Sequence, residues 1–350
     1  MDSLKKNIVR FGLTLLILCV AMWWVFSKID IRQLGEAFLR ADYTIVVLTI
    51  PVVLASHFLR AWRWRTLLRP VQPAPSLWNL YSAVMVGYAA NNIIPRSGEF
   101  LRPFVYSKRT GLPLTTTVAS VVVERFIDVL NLLLFIAIAM YFVGNDLSAV
   151  MPDIETATRS AALLAAILLV VIVFITFTNI GEWAVRRMIA PAAPAAAEKV
   201  IRGLATFKKG LSIVSTPSEY IRLIGESCLI WLFYIIPMYM MLHAMILNKA
   251  YVFTFFDASL LLLVMAVGTT LAPTPGAIGV VHYLVPVVMM QLYQVPKEDG
   301  LAYVALTHGV NFLSVTITGG LFMLRENVRP HIGNGTPAPE PNTDASAVSA

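Results

Sequence analysis

Two short stretches of this chain place charged side chains in strongly apolar surroundings. The first, "NNIIPRSGEFLR", runs from Asn91 to Arg102 and carries Arg96, Glu99 and Arg102 around a proline and a glycine. The second, "ASVVVERFIDVLNLL", carries Glu124, Arg125 and Asp128. Glu124 and Asp128 are four residues apart and share one face of a helix, and Arg125 can reach Asp128 at a spacing of three. Arg96 and Arg102 are the obvious external partners. A guanidinium presents a planar fork of donors that suits phosphate, so Arg96, Arg102 and Arg125 could hold an anionic group. Glu124 and Asp128 would balance those cations, or bind an amine or a proton. The competing use of the same residues is an ion-pair cluster that only pins the break in place.

The break itself fits anion binding. A broken helix frees backbone N–H donors, and the N-terminal end of the following helix carries partial positive charge. Gly98 lets the backbone turn and approach closely. These features predict a laterally open pocket lined by Asn92, Arg96, Glu99, Arg102, Glu124 and Arg125.

The elements that must position these residues are membrane helices. Of 350 residues, 58% are hydrophobic and 13% charged, with mean hydropathy +0.73. Soluble domains carry roughly 25% charged residues. The shortfall, together with several apolar runs of about 20 residues, defines an integral membrane protein and excludes a large soluble domain. The formal net charge of +7 is explained by loop cations at a membrane, and no nucleic-acid partner is expected. Residues 1–330 are expected to form one membrane domain. Residues 331–350, rich in Pro, Ala and Ser, are expected to be a disordered tail.

Charge sets the expected topology, because Lys and Arg mark the cytoplasmic side. The first apolar segment, about 11–27, follows Lys5, Lys6 and Arg10 and ends in Trp23, Trp24 and Phe26, so it reads as a retained anchor. The span beginning at Tyr43 ends in "RAWRWRTLLR", whose Arg60, Arg63 and Arg65 read as ordinary anchoring at the cytoplasmic interface. Loop 144–159 is acidic and outside; segment 181–219 is basic and inside; Arg325 and Arg329 are inside. Both termini are therefore expected in the cytoplasm. Both ends of 77–109 also fall on the cytoplasmic side, and its apolar part, 77–90, is too short for a full span of ~20 residues. A re-entrant hairpin turning at Pro95–Gly98 resolves the conflict. Non-helical backbone at membrane depth survives only when it is buried in protein or lines a wet cavity.

A second copy follows. "TTLAPTPGAIGVVHYLV" breaks an apolar region at Pro273, Pro275 and Gly276, with Gly279 beyond, and by charge topology it must enter from the outer face. Each break precedes a helix with a polar stripe: Thr117, Ser120, Glu124, Asp128 and Asn131 in the first case, Thr307, Asn311, Ser314 and Thr318 in the second. The expected fold is an all-α polytopic membrane protein with about six full spans plus two re-entrant helical hairpins. Its inverted halves are about 43–143 and 220–324, an arrangement found in many secondary transporters.

Glu124 lies about eleven residues into its span, ~16 Å along a helix rising ~1.5 Å per residue. That is near the middle of a core ~30 Å thick, where ionisable groups are functional candidates. The histidines show no metal-ligand spacing. His308, beside the second polar stripe, is the candidate for a proton-responsive group. Cys19 and Cys228 lie far apart in apolar runs and support neither a disulfide framework nor a metal site. No cofactor is expected. No nucleophile–base pair is visible, so no catalytic residue is assigned and an enzyme is not expected.

With these residues in hand, the chain resembles the lysylphosphatidylglycerol synthase transmembrane-region family, also called flippase-like or UPF0104 proteins. "NNIIPRSGEFLRPF", "ASVVVERFIDVLNLL", "RAWRWRTLL" and "PTPGAIGVV" carry the resemblance, over roughly 5–327. It implies lipid handling in a bacterial or archaeal cytoplasmic membrane: movement of aminoacylated phospholipids, polyprenyl-linked glycans or other lipids between leaflets. The matching motif positions are Asn92, Pro95, Gly98, Glu99, Arg102, Glu124, Arg125 and Asp128, then Pro273, Pro275, Gly276 and Gly279. Ala277 and His282 depart from the glycine and glutamate expected there. The soluble aminoacyl-transfer domain has no counterpart in these residues, so lysine transfer is not expected. The function expected is a lipid transporter or flippase for an anionic or phosphate-bearing lipid. The alternatives are a non-transporting scaffold in envelope lipid assembly and an intramembrane lipid-modifying enzyme.

Overall fold

The computed structural model describes residues 30–150, 180–191, 193–198, 217–245, 251–271 and 274–326, with isolated positions 163, 167, 201, 202 and 205. The anchor at 11–27, the residues following 150 in the outer loop, Pro273 and the tail lie outside the described residues. The helices are α1 (Ile31–Leu39), α2 (Tyr43–Leu68), α3 (Leu77–Ile93), α4 (Gly98–Thr110) and α5 (Leu114–Val150). They continue as α6 (Ile180–Met188), α7 (Pro217–Ala244), α8 (Phe255–Leu271), α9 (Val280–Tyr293) and α10 (Lys297–Arg325). A short 3-10 turn, Pro275–Ala277, separates α8 from α9. No strand occurs among the described residues, as expected for a chain whose backbone groups must be satisfied within each element in lipid.

Side chains mark the helix starts. Asp30, Asp42 and Ser76 accept hydrogen bonds from the first backbone N–H groups of α1, α2 and α3, satisfying donors left free at a helix N-terminus. Gly111, at φ +74°, ends α4. Four described segments are long and apolar enough to cross a membrane: Tyr43–Leu68, Ile221–Ala244, Pro275–Tyr293 and Lys297–Arg325.

The helices form two similar quartets. α2 packs on α3, α3 on α4, α4 on α5 and α5 back on α2; α7, α8, α9 and α10 repeat the same pattern. The quartets join through α2 on α7 and α3 on α10. Each has its own apolar core. One gathers Trp64, Leu68, Leu80, Met85 and Tyr106; the other gathers Met241, Leu261, Val285, Val295 and Tyr303.

Contacts at the helix ends show how the hairpins lie. At one end of the bundle, Ser82 of α3 donates to Glu326 (2.8 Å), and Arg109 of α4 pairs with the same carboxylate (3.9 Å). Arg325 donates to Asn79 (3.0 Å), and Tyr106 donates to Gln72 just after α2 (2.7 Å). The start of α3 and the end of α4 therefore sit together with the ends of α2 and α10. The second hairpin faces the other way. Tyr293, at the end of α9, donates to Asp257 at the start of α8 (2.7 Å). Arg40 reaches Asp299 at the start of α10 (3.0 Å), and the Asp42 N–H bonds Ala244 at the end of α7 (2.7 Å). The two hairpins open toward opposite ends of one bundle.

Candidate functional site

The first break is held by close packing. α3 stops at Ile93, and α4 restarts at Gly98. Asn91 accepts the Gly98 N–H at 2.7 Å. A β-carbon on Gly98 would stand 2.0 Å from the carbonyl oxygen of Gly87, and one on Gly87 would stand 2.9 Å from Cβ of Arg102. Only glycine at both positions lets the two half-helices cross this closely. That crossing places Arg102 against α5.

Glu124 is the hub. Its side chain has no exposed surface, and Arg102 grips it with both terminal nitrogens, at 3.0 and 2.7 Å. Arg60 Nη2 donates to Glu124 at 2.6 Å and to Asp128 at 2.8 Å. Arg63 donates to Asp128 and lies 3.5 Å from Glu124. Arg125 is 3.6 Å from Glu124 and 3.5 Å from Asp128. Four guanidiniums thus face two carboxylates. Such a cluster is tolerated away from water only because nearly every charge is paired. Aromatic and hydroxyl groups complete it. Arg102 stacks 4.0 Å over the Trp64 ring, whose Nε1 donates to Ser120 at 2.8 Å. Arg60 donates to Tyr234 at 3.1 Å and lies 5.5 Å from the Tyr88 ring centre. Arg63 donates to Ser227 at 3.1 Å.

Arg60 and Arg63 correct the sequence reading. Expected at the interface, they are buried in the cluster, on the one face of α2 that their spacing of three defines. The buried side of α2 also carries Ser56, His57 and Trp64. This polar periodicity within an apolar helix was the available signal. Arg96 differs in the other direction. It is the turn residue itself, at φ +63°, and is exposed rather than joined to Glu124.

A cavity of about 30 Å³ opens beside the cluster, lined by Gly87, Tyr88, Asn91, Glu99, Arg102 and Arg125 among others. Of the expected lining, Glu99, Arg102 and Arg125 are present; Asn92, Arg96 and Glu124 are not. The cavity is far smaller than the lipid-wide opening the sequence suggested, because α4 packs closed against α5 in this conformation.

Asn92 points the other way, toward α10, and joins the two breaks. Its amide donates to Thr316 at 2.8 Å and lies 3.4 Å from the Phe312 carbonyl. In the second break Gly276 has φ +56°, Ala277 +59° and Gly279 +91°. A β-carbon on Gly276 would meet Phe312 at 2.6 Å and the Asn92 carbonyl oxygen at 3.4 Å. His308 Nε2 lies 2.7 Å from the Gly276 carbonyl, and the His282 ring stands edge-on to His308 at 5.1 Å. Pro95 lies in the first turn and Pro275 opens the second. The second polar stripe is only partly internal: Thr307 and Ser314 are buried and bond α10's own carbonyls, whereas Asn311 is exposed. No group of three or more metal-ligating side chains occurs among the described residues.

A bundle of paired helical hairpins around a buried Arg–Glu–Asp cluster defines a class of polytopic membrane protein. The chain belongs to the lysylphosphatidylglycerol synthase TM region family, whose pattern matches residues 11–319. It is 20% identical over 334 residues to a UPF0104 membrane protein of Methanocaldococcus jannaschii, covering 92% of this chain and 96% of that one. A UPF0104 membrane protein of Pyrococcus horikoshii is 24% identical over 142 residues, 39% of this chain and 41% of the relative. The glycosyltransferase AglD of Haloferax volcanii is 28% identical over 122 residues, 35% of this chain and 19% of the relative. The chain thus matches less than half the length of these last two relatives.

Proposed function

We propose that this protein is a lipid transporter of the flippase type, holding a phosphate-bearing headgroup at the first helix break. The carrying observation is the excess of guanidinium over carboxylate: Arg60, Arg63, Arg102 and Arg125 against Glu124 and Asp128. These charges come from α2, α4 and α5, and they converge beside a glycine-packed break. Phosphate and carboxylate present similar paired oxygens to a guanidinium fork. An arriving headgroup can therefore exchange partners with Glu124 or Asp128 without leaving a bare charge. The conformation described here is the closed one, and the headgroup enters when the α3–α4 hairpin parts from α5. Family membership and the apolar helices support a membrane lipid as partner.

In this reading the end carrying Arg69, Arg109 and Arg325 faces the cytoplasm, both termini lie there, and the membrane is the cytoplasmic one. The α3–α4 hairpin is re-entrant from that side and the α8–α9 hairpin from the other, so the breaks meet at depth, as in inverted-repeat transporters.

A second reading has an observation of its own. Glu124 is fully buried and gripped by both nitrogens of Arg102, the geometry of a structural pin. Lipid binding separates the two. Purified protein should retain anionic phospholipid in native mass spectrometry, and the Arg125→Gln variant, compared well below its own melting temperature, should retain less of it. Arg125 suits this test because its side chain is 36% exposed. Equal lipid retention by the two proteins favours the pin.

A further inference from the structure

His57 takes no part in the ion-pair cluster, yet it lies one turn before Arg60 on the same buried face of α2. It is 4% exposed, and both ring nitrogens are buried with no hydrogen-bond partner among the described residues. The other described histidines differ. His243 meets the Tyr239 carbonyl at 3.0 Å, His308 meets the Gly276 carbonyl, and His282 leaves only one nitrogen unpartnered. A neutral imidazole carries one donor and one acceptor. Burying both without partners is costly, and such groups are rare in folded proteins. Packing alone does not ask for an imidazole here. The His57 ring meets the Tyr88 ring with 4.5 Å between centres, a contact a phenyl group would make equally well. Tyr88 links this residue to the site. It is half-buried on α3, it lines the cavity with Arg102 and Arg125, and the Arg60 guanidinium lies 5.5 Å from its ring centre.

We infer that His57 is a further headgroup-binding residue, covered by Tyr88 in the closed conformation. When the α3–α4 hairpin parts from α5, α3 carries Tyr88 away from α2. The His57 N–H then donates to a phosphate oxygen beside Arg60. A hydrogen bond to a charged acceptor is stronger than one between neutral groups. The closed form bears the cost of a bare imidazole and the lipid-bound form removes it, so His57 tilts the equilibrium toward opening. The lipid as partner rests on the transporter reading above. The cost of His57 in the closed form does not.

The full-length protein, purified in detergent, is compared with His57→Phe, His57→Leu and His57→Gln. At least one of the two apolar variants should melt above the wild type, because the unpartnered polar group is gone. Both should retain ~10-fold less phosphatidylglycerol in native mass spectrometry, the effect of losing one hydrogen bond to a charged group. His57→Gln keeps an N–H donor and should retain more of the lipid than either. If neither apolar variant melts above the wild type, the imidazole is already satisfied in the closed form and the inference falls. It falls equally if a variant that melts higher retains as much lipid as the wild type. A wild type that retains no phosphatidylglycerol overturns the transporter reading and the lipid partner of His57 together. Retention that depends on Arg125 but not on His57 overturns the inference alone and leaves the transporter standing.

Discussion

Glu124 meets three guanidiniums within 3.5 Å and has no exposed surface. Removing one member of such a set strands the others. Glu124→Ala is expected to cost ~3–5 kcal/mol of stability, because buried cations would lose their partner. Arg96→Ala should change stability by less than ~0.5 kcal/mol, as for an ordinary exposed site. Thermal unfolding of both variants checks the contrast, and comparable losses would contradict the placement of Arg96 outside the cluster. The sequence pointed to Glu124, Arg125, Asp128 and Arg102, because charges in an apolar helix need partners. It did not separate Arg60 and Arg63 from Arg65. All three sit in one basic run where interfacial anchoring is the common use of arginine. Only the packing of α2 against α5 and α7 shows which two turn inward. Arg96 misled for a related reason: a turn residue lies close in sequence to its neighbours yet directs its side chain away from them.

At the level of elements, both breaks were legible, since Pro-x-x-Gly inside an apolar run has few other uses. The tightness of the first hairpin was not. Gly87 lies within an unremarkable helix, and its importance comes from the backbone of Gly98, which no local pattern reveals. Gly98→Ala should therefore destabilise by ~1–3 kcal/mol, as overpacking does, although alanine is the better helix former. Gly320, whose added β-carbon would meet nothing within 4 Å, supplies the control. Gly320→Ala should be neutral or slightly stabilising. Melting curves that rank these two variants equally would show that the α3–α4 crossing is looser than described. The second polar stripe was only half right. Asn311 turns outward, and Thr316, outside the stripe, is the residue that meets Asn92.

For the whole molecule, loop charge led to the expectation of two re-entrant hairpins in inverted halves; the end contacts at Glu326 and Asp257 place the open ends of the two hairpins at opposite ends of the bundle, and how either hairpin sits in the membrane is a matter for experiment. Which end faces which compartment is a property of the membrane and is written only in the loop cations. In a cysteine-free background lacking Cys19 and Cys228, cysteines at Asn79 and Lys108 should label from the cytoplasmic side. Cysteines at Thr254 and Gln294 should label from the opposite side. Labelling of either pair from two different sides would replace that hairpin with a full crossing.

The most direct test of the central claim is transbilayer movement of a fluorescent anionic phospholipid in vesicles reconstituted with the purified protein. The wild type should move the lipid and Arg102→Ala should not. Full transport by a well-folded Arg102→Ala protein, or none by a well-folded wild type, would leave the cluster as a structural pin.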